Sequence, residues 1–136
     1  MLSDFRPEIQ KGLWGHLKNL GKFDEAKILE IEPGHALVSI DITEDALNFY
    51  GNVHGGFLFS LCDAVSGMTS YAYGITNVTQ SSSFNFLRAV KSGTIYVEGR
   101  MIHKGRKTSV NVLTVTNEQG KLVATGNFTM FWGEAV

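Results

Sequence analysis

The feature that most constrains the fold is a single long helix candidate that is apolar on almost every side. Residues 54–73 read HGGFLFSLCDAVSGMTSYAY and carry small or aromatic residues where a surface helix would carry charges. A helix that is apolar nearly all round is a buried helix. The rest of the chain must therefore supply a layer that covers it.

Strand patterns lie on both sides of this helix. Two precede it, around a turn at residues 32–35, and four follow it, separated by loops of only a few residues. Loops this short join antiparallel neighbours, because a parallel crossover needs a dozen residues or more. The sequence therefore predicts an α+β fold with an antiparallel sheet of five to six strands around one long central helix. The predicted strands are residues 24–31, 35–43, 77–88, 94–103, 107–116 and 121–132.

A second, shorter helix is predicted at the N-terminus. Pro7 suits a first helical turn, and apolar residues recur at a spacing of four from Phe5 to Leu17, so one face of a helix running to about Leu20 is apolar. A length of 136 residues fits one domain. We expect a single domain over residues 1–136, with residues 1–22 as an N-terminal helical extension.

Bulk properties argue against several classes of function. The net charge of -1 gives no global attraction to nucleic acid or to an anionic membrane. No apolar run approaches the roughly 18 residues that span a bilayer. One cysteine, Cys62, excludes a disulfide framework, and the first residues lack the pattern of a signal peptide. We therefore expect a cytoplasmic protein that binds neither nucleic acid nor membrane.

Charged side chains are nearly missing from residues 46–87. Asp63 is the only one, although the chain's own 18% frequency would give about seven. This segment is expected to be buried, either inside the domain or between subunits. A buried carboxylate needs a partner. Asp63 is thus either a structural acid bonded to a helix hydroxyl such as Ser60, Ser66 or Ser70, or a catalytic base or nucleophile beside a substrate channel.

Two glycines, Gly55 and Gly56, stand in the first turn of the long helix. Each costs roughly 0.5–1 kcal/mol relative to alanine. Glycine is favoured there if a ligand must approach the free N–H groups of the helix start, which suit a developing oxyanion. The alternative is tight packing of the helix start against a strand. Likewise, His54 could simply cap the helix, and Asn48 could be an ordinary turn residue.

Taken together, these residues resemble a known signature. Residues 48–56 read N-x-x-G-x-x-H-G-G, and Asp63 follows His54 by nine positions. This combination is similar to the motif of the PaaI-like hotdog thioesterases. Residues 85–88, 103–108 and 120–124 also resemble the family's later strand and hairpins, so the resemblance covers about residues 24–132.

The resemblance implies a fold, an assembly and an activity. In the hotdog fold an antiparallel sheet wraps around one central helix. The family forms homodimers, usually paired into homotetramers, with active sites between subunits. Its members hydrolyse acyl-CoA to a free acid and CoA, and they need no cofactor because CoA is part of the substrate.

The resemblance also assigns roles to individual residues. The Gly55 amide would polarise the thioester carbonyl with help from the Asn48 side chain, and His54 would lie near the leaving sulfur. The partner subunit's Asp63 would activate water or attack directly. Thr79 would position the water, although a solvent-facing strand threonine is an equally simple interpretation.

A basic cluster in the later hairpin is a candidate site for the phosphates of CoA. The alternative is a solvated hairpin tip. The chain departs from the family pattern in one strand, where residues 80–83 are polar and Ala89 stands in place of a proline. This difference concerns the shape of the substrate pocket. The candidate CoA-binding residues are Arg88, His103, Lys104, Gly105, Arg106 and Lys107.

Other functions fit the sequence less well. A hotdog dehydratase or hydratase would carry an Asp-x-Asn-x-x-His run, which is missing. An acyl-CoA-binding sensor should lack the acid and bring a DNA-binding helix pair. A metal site is not expected, because the four histidines are scattered along the chain. Cys62 is a poor candidate nucleophile, because a thiol in apolar surroundings is poorly ionised.

Overall fold

Two helices and six strands organise the chain in its computed structural model, which describes residues 1–15 and 22–136. Short 3-10 turns precede β1 and α2. In chain order the elements are α1 (Pro7–Gly15), β1 (Lys27–Glu32), β2 (His35–Asp41), α2 (Gly55–Tyr71), β3 (Ile75–Phe86), β4 (Thr94–Lys104), β5 (Thr108–Thr116) and β6 (Leu122–Ala135).

The six strands form one antiparallel sheet that packs on α2. Their order is β1-β2-β4-β5-β6-β3, so β3 follows α2 in sequence but lies at the far edge of the sheet. Leu61, Val65 and Met68 of α2 are fully buried against the sheet. A Cβ at Gly99 of β4 would lie 2.6 Å from Thr69 Oγ1, so glycine lets the helix approach this closely. The predicted α+β hotdog architecture is confirmed.

The predicted boundaries agree with the observed ones to within a few residues. The long helix predicted at 54–73 is α2, and the strand predicted at 24–31 begins at Lys27 because residues 23–25 form a 3-10 turn. In α1 the buried residues are Ile9 and Leu13. Residues 16–21, including Leu17 of the predicted apolar face, lie outside the described residues.

Burial within one chain accounts for only part of the uncharged segment 46–87. The helix α2 is buried, as expected, but β3 is largely exposed. Val78 is 65% exposed and Phe49, in the loop before α2, is 97% exposed. For these apolar positions, burial inside the domain is the wrong interpretation, because Val78 lies on an edge strand and Phe49 lies in a loop that no other element of the described chain covers. Burial of these positions between subunits stays a prediction.

Candidate functional site

The start of α2 leaves one backbone donor free. His54 is the N-cap, and its Nδ1 accepts a hydrogen bond from the Gly56 amide at 3.0 Å. The His54 carbonyl accepts hydrogen bonds from the amides of Phe57 and Leu58. Nothing in the described part of the chain accepts from the Gly55 amide. This N–H therefore stands unpaired at the positive end of the helix dipole.

The His54 ring has a structural role that the capping interpretation anticipated. Because Nδ1 accepts a hydrogen bond, the neutral ring carries its proton on Nε2. The side chain is exposed, so Nε2–H can donate to a ligand at the helix start. Capping and a role beside the leaving sulfur therefore use different ring nitrogens and are compatible.

Asn48 acts as a turn residue in the loop that leads to α2. Its Oδ1 accepts hydrogen bonds from the amides of Tyr50 at 2.9 Å and Asn52 at 3.1 Å. Its side-chain NH₂ group has no acceptor among the described residues. The turn interpretation is thus confirmed for the oxygen, and the nitrogen stays available as a donor.

A cavity of about 350 Å³ opens beside Gly55. A Cβ at this position would lie 3.2 Å from the ring of Phe86, so packing contributes to the choice of glycine here. The missing side chain leaves the amide open at the same time. The lining residues are Asn52, Val53, Gly55, Leu58, Phe86, Leu87, Arg88 and Ala89.

A second cavity of about 370 Å³ contains the acid of the uncharged segment. Asp63 is half-buried, and its Oδ1 accepts a hydrogen bond from Thr79 Oγ1 at 2.5 Å. Thr79 therefore contacts the acid from β3. It is also exposed in the single chain, as the interpretation of a solvent-facing strand threonine predicted. The lining residues are Asp63, Ala64, Gly67, Asn77, Val78, Thr79 and Met130.

None of the three helix serines expected as partners of Asp63, Ser60 included, makes a hydrogen bond to it. Ser66 and Ser70 both accept hydrogen bonds from the Asn111 side chain, which is fully buried in β5. The structural interpretation of Asp63 through these serines is wrong, because both point toward the sheet interior. Asn111 escaped the sequence analysis, and its only signal is a polar residue at an inward-facing position between Val110 and Val112.

Asn77 is another residue that the sequence analysis missed. Its Nδ2 donates to the carbonyl of Gly67 at 3.2 Å, while its Oδ1 is buried without a hydrogen-bond partner among the described residues. Asn77 lies two positions before Thr79 on β3 and lines the same cavity.

Gly55 and Asp63 cannot act on the same carbonyl within one chain. They lie eight residues apart on one helix, which corresponds to about 12 Å along its axis. Each lines its own cavity, and both cavities are bounded by residues of β3. A site that combines the two groups would have to draw them from different subunits.

The candidate CoA-binding residues are divided between two regions. Arg88 lines the cavity beside Gly55. The hairpin between β4 and β5, with Lys104 to Lys107, lies near the Asp63 end, because Ser109 pairs with Met130 and Met130 pairs with Thr79. His103, Lys104, Arg106 and Lys107 are all exposed, and Gly105 donates to the Thr108 carbonyl at the hairpin turn.

Other chemistries find little support in residues 1–15 and 22–136. Cys62 is fully buried, and burial together with the neighbouring Asp63 charge raises the pKa of its thiol, which disfavours the thiolate. Within these ranges no three metal-ligating side chains are placed to hold a metal ion. Over the same ranges, none of the helices has the length and apolar character that a membrane crossing requires.

Solved structures similar to this one include two streptococcal proteins. One is a hypothetical thioesterase of Streptococcus pneumoniae TIGR4 in complex with coenzyme A, with 34% identity, a TM-score of 0.86, and coverage of 92% of this chain and 97% of that chain. The other is a protein of Streptococcus mutans UA159 bound to acetyl-CoA, with 39% identity, a TM-score of 0.81, and coverage of 88% and 98%.

Sequence comparison points to the same family. The model of the thioesterase superfamily matches residues 50–124, more than half of the chain. The acyl-coenzyme A thioesterase PaaI of Escherichia coli K12 is 32% identical over 98 residues, which are 71% of this chain and 70% of that protein. The chain therefore belongs to the thioesterase superfamily, and within it to the PaaI-like acyl-CoA thioesterases with the hotdog fold.

Proposed function

We propose that this enzyme hydrolyses acyl-CoA to a free acid and CoA at a site shared between two subunits, with Gly55 from one and Asp63 from the other. The observation that carries the proposal is the unpaired Gly55 amide, about 12 Å along α2 from the lone acid of the uncharged segment. The named relatives are thioesterases, which favours hydrolysis over the dehydratase and sensor alternatives. CoA and acetyl-CoA in two similar structures support the substrate class.

The exposed edge of β3 supports a dimer that would complete the site. A strand of 12 residues with an unpaired edge invites a second strand. Antiparallel pairing of two β3 strands about a two-fold axis near the middle of the strand would bring the Thr79 end of one β3 beside the Phe86 end of the other. Because Thr79 contacts Asp63 and Phe86 lines the cavity beside Gly55, the two cavities would then join across the subunit boundary. Such dimers, paired into homotetramers, are the proposed assembly.

Each polar group then has a defined task in the reaction. The thioester carbonyl oxygen accepts from the Gly55 amide and from the Asn48 side-chain NH₂, which stabilise the oxyanion. Thr79 donates to one oxygen of Asp63, and the other oxygen takes a proton from the attacking water. The water oxygen bonds to the carbonyl carbon, and the C–S bond then breaks. The leaving sulfur, with His54 Nε2–H beside it, takes the proton that Asp63 had accepted, so CoA leaves as the thiol and Asp63 returns to the carboxylate. We propose the general-base role, because Thr79 occupies one oxygen of Asp63 and leaves the other oxygen open to the water.

Mixing two inactive variants tests whether the site is shared. Gly55→Pro removes the amide donor from one chain, and Asp63→Asn removes the base from another. After joint refolding, half of the dimers are mixed, and each mixed dimer has one intact site, so activity should recover to about a quarter of the wild-type value. Release of the CoA thiol, followed at equal total protein, measures the recovery.

The control places both substitutions in one chain and mixes it with the wild type. Each mixed dimer then has no intact site, so activity should fall to about a quarter of that of wild type alone at the same total protein. Sites contained within single chains would give the opposite pattern, with no recovery in the first mixture and half the activity in the second.

Arg106→Ala tests the proposed phosphate contact. We expect the KM for an acyl-CoA to rise about five- to tenfold at low salt, because an exposed guanidinium would lose its charge-assisted bonds to phosphate. The effect should shrink as salt is added. Steady-state kinetics with the same acyl group on CoA and on pantetheine measure it. An equal rise in KM for both thioesters would contradict a phosphate role.

A further inference from the structure

Two aromatic rings stand beside the basic hairpin at the protein surface. Tyr73 is 43% exposed, and Trp132 is half-buried. Their ring centroids are 5.5 Å apart, with an angle of 39° between the ring planes. The Lys104 ammonium lies 5.2 Å from the centroid of each ring. This aromatic pair is not used by the proposed chemistry of hydrolysis.

Hydrogen bonds to the interior of the domain fix the position of the Trp132 indole. Its Nε1 donates to Ser109 Oγ at 3.0 Å, and Ser109 shares a hydrogen bond of 3.2 Å with Ser70. Both serines are fully buried. On the strand side, the Trp132 amide donates to the Lys107 carbonyl at 2.6 Å. The ring is therefore a preorganised surface that loses little freedom when a ligand stacks on it.

Basic side chains without acidic partners lie on the hairpin beside the two rings. The hairpin supplies the cations Lys104, Arg106 and Lys107 and the imidazole of His103, all exposed, and none of them is paired with a carboxylate among the described residues. Lys104 contacts only the aromatic faces, and an exposed contact of this kind is weak. Its long side chain can therefore move from the rings to an anion at small cost.

We propose that the Tyr73–Trp132 pair and the hairpin cations bind the adenosine bisphosphate end of CoA. The adenine stacks on the aromatic pair, where Lys104 now lies, and the phosphates bind the hairpin cations. The pair lies close to the Asp63 cavity, because Trp132 pairs with Asn77 of that cavity in the sheet. The flexible pantetheine arm would then run from this surface toward Asp63. The inference rests on the proposed function and extends it by naming the residues that bind the adenine of CoA.

Calorimetric titration with adenosine 3′,5′-bisphosphate tests the site without any reaction. We expect Tyr73→Leu to weaken binding about tenfold, because it removes one stacking face, and Tyr73→Phe to retain most of the affinity. Tyr96→Leu, which removes a ring from β4 on a half-buried position of the sheet, is the matched control and should bind as wild type does. Inorganic pyrophosphate, which has no base, should bind Tyr73→Leu and wild type equally.

Kinetics with two substrates separate this inference from the proposed function. For Tyr73→Leu the KM of an acyl-CoA should rise about tenfold, whereas the KM of the matching acyl-pantetheine should change less than twofold. Unchanged bisphosphate affinity in Tyr73→Leu, or equal binding of pyrophosphate and bisphosphate by wild type, would overturn the inference. If the bisphosphate binds as expected but no acyl-CoA is hydrolysed, the nucleotide site stands and the proposed reaction fails.

Discussion

Gly55→Pro is expected to lower kcat for an acyl-CoA about 10²–10³-fold while the protein stays folded. Proline removes the one amide that the proposed oxyanion needs, and that amide makes no hydrogen bond in the described chain. The position tolerates proline because it is the first residue of α2, where proline is common. The preceding residue, His54, is already extended, with φ -64° and ψ 134°, as a residue before proline must be.

The matched control for this prediction is Gly55→Ala. Both substitutions add a Cβ that meets the Phe86 ring at 3.2 Å, but only alanine keeps the N–H. The exposed Phe86 ring can shift, so alanine should change kcat only a few-fold. Thiol-release kinetics and thermal unfolding of both variants make the comparison. A loss of the same size in the two variants would mean that crowding, and not the amide, limits turnover.

The elements that local pattern encodes were predictable from the sequence. The helix α2 follows from an apolar surface on all sides, and the antiparallel sheet follows from short loops between alternating strands. The observed boundaries differ by a few residues, mainly where a 3-10 turn replaces the start of a predicted strand. These features depend on residues that are close together in the sequence, so the periodicity of apolar residues predicts them.

The strand order was beyond the reach of local pattern. β3 pairs with β6 and β2 pairs with β4, so these ladders join segments far apart in sequence. Exposure of β3 follows from this order, since it makes β3 an edge. The choice of Thr79 over Ser66 or Ser70 as the partner of Asp63 has the same origin. A helix pattern predicts which side chains share a face, but it does not identify the strand that the face meets.

The candidate site contains one feature that the sequence predicts and one that depends on the fold. Gly55 and Asp63 share a helix, so their separation follows from spacing and helix geometry once α2 is accepted. The separation of Arg88 from the basic hairpin depends on the fold, since each region lies beside a different cavity or strand end. Resemblance to the family grouped these basic residues, and the structure of one chain places them in two regions.

Asp63→Asn is expected to lower kcat for an acyl-CoA about 10³-fold, within the range typical of losing a general base. Asparagine has nearly the same shape, and its Oδ1 can still accept the Thr79 hydroxyl that now binds Asp63. The substitution therefore removes the negative charge and the proton acceptor while the packing is retained. Thiol-release kinetics measure the loss, and thermal unfolding should show a Tm that is equal to or above that of wild type, because no ion pair is broken.

Thr79→Val separates catalysis by Asp63 from a structural role of the same contact. Valine keeps the volume of threonine and removes the hydroxyl. Thr79→Val therefore breaks the hydrogen bond and keeps the acid, whereas Asp63→Asn keeps the hydrogen bond and removes the base. If Thr79 orients the acid, Thr79→Val should lower kcat about tenfold, between wild type and Asp63→Asn. If the acid is only structural, Thr79→Val should lower the Tm because the hydrogen bond is lost, and the kcat of Asp63→Asn should stay within a few-fold of wild type. That result would remove Asp63 from the reaction, because an acid that activates water cannot be replaced by an amide without loss of turnover.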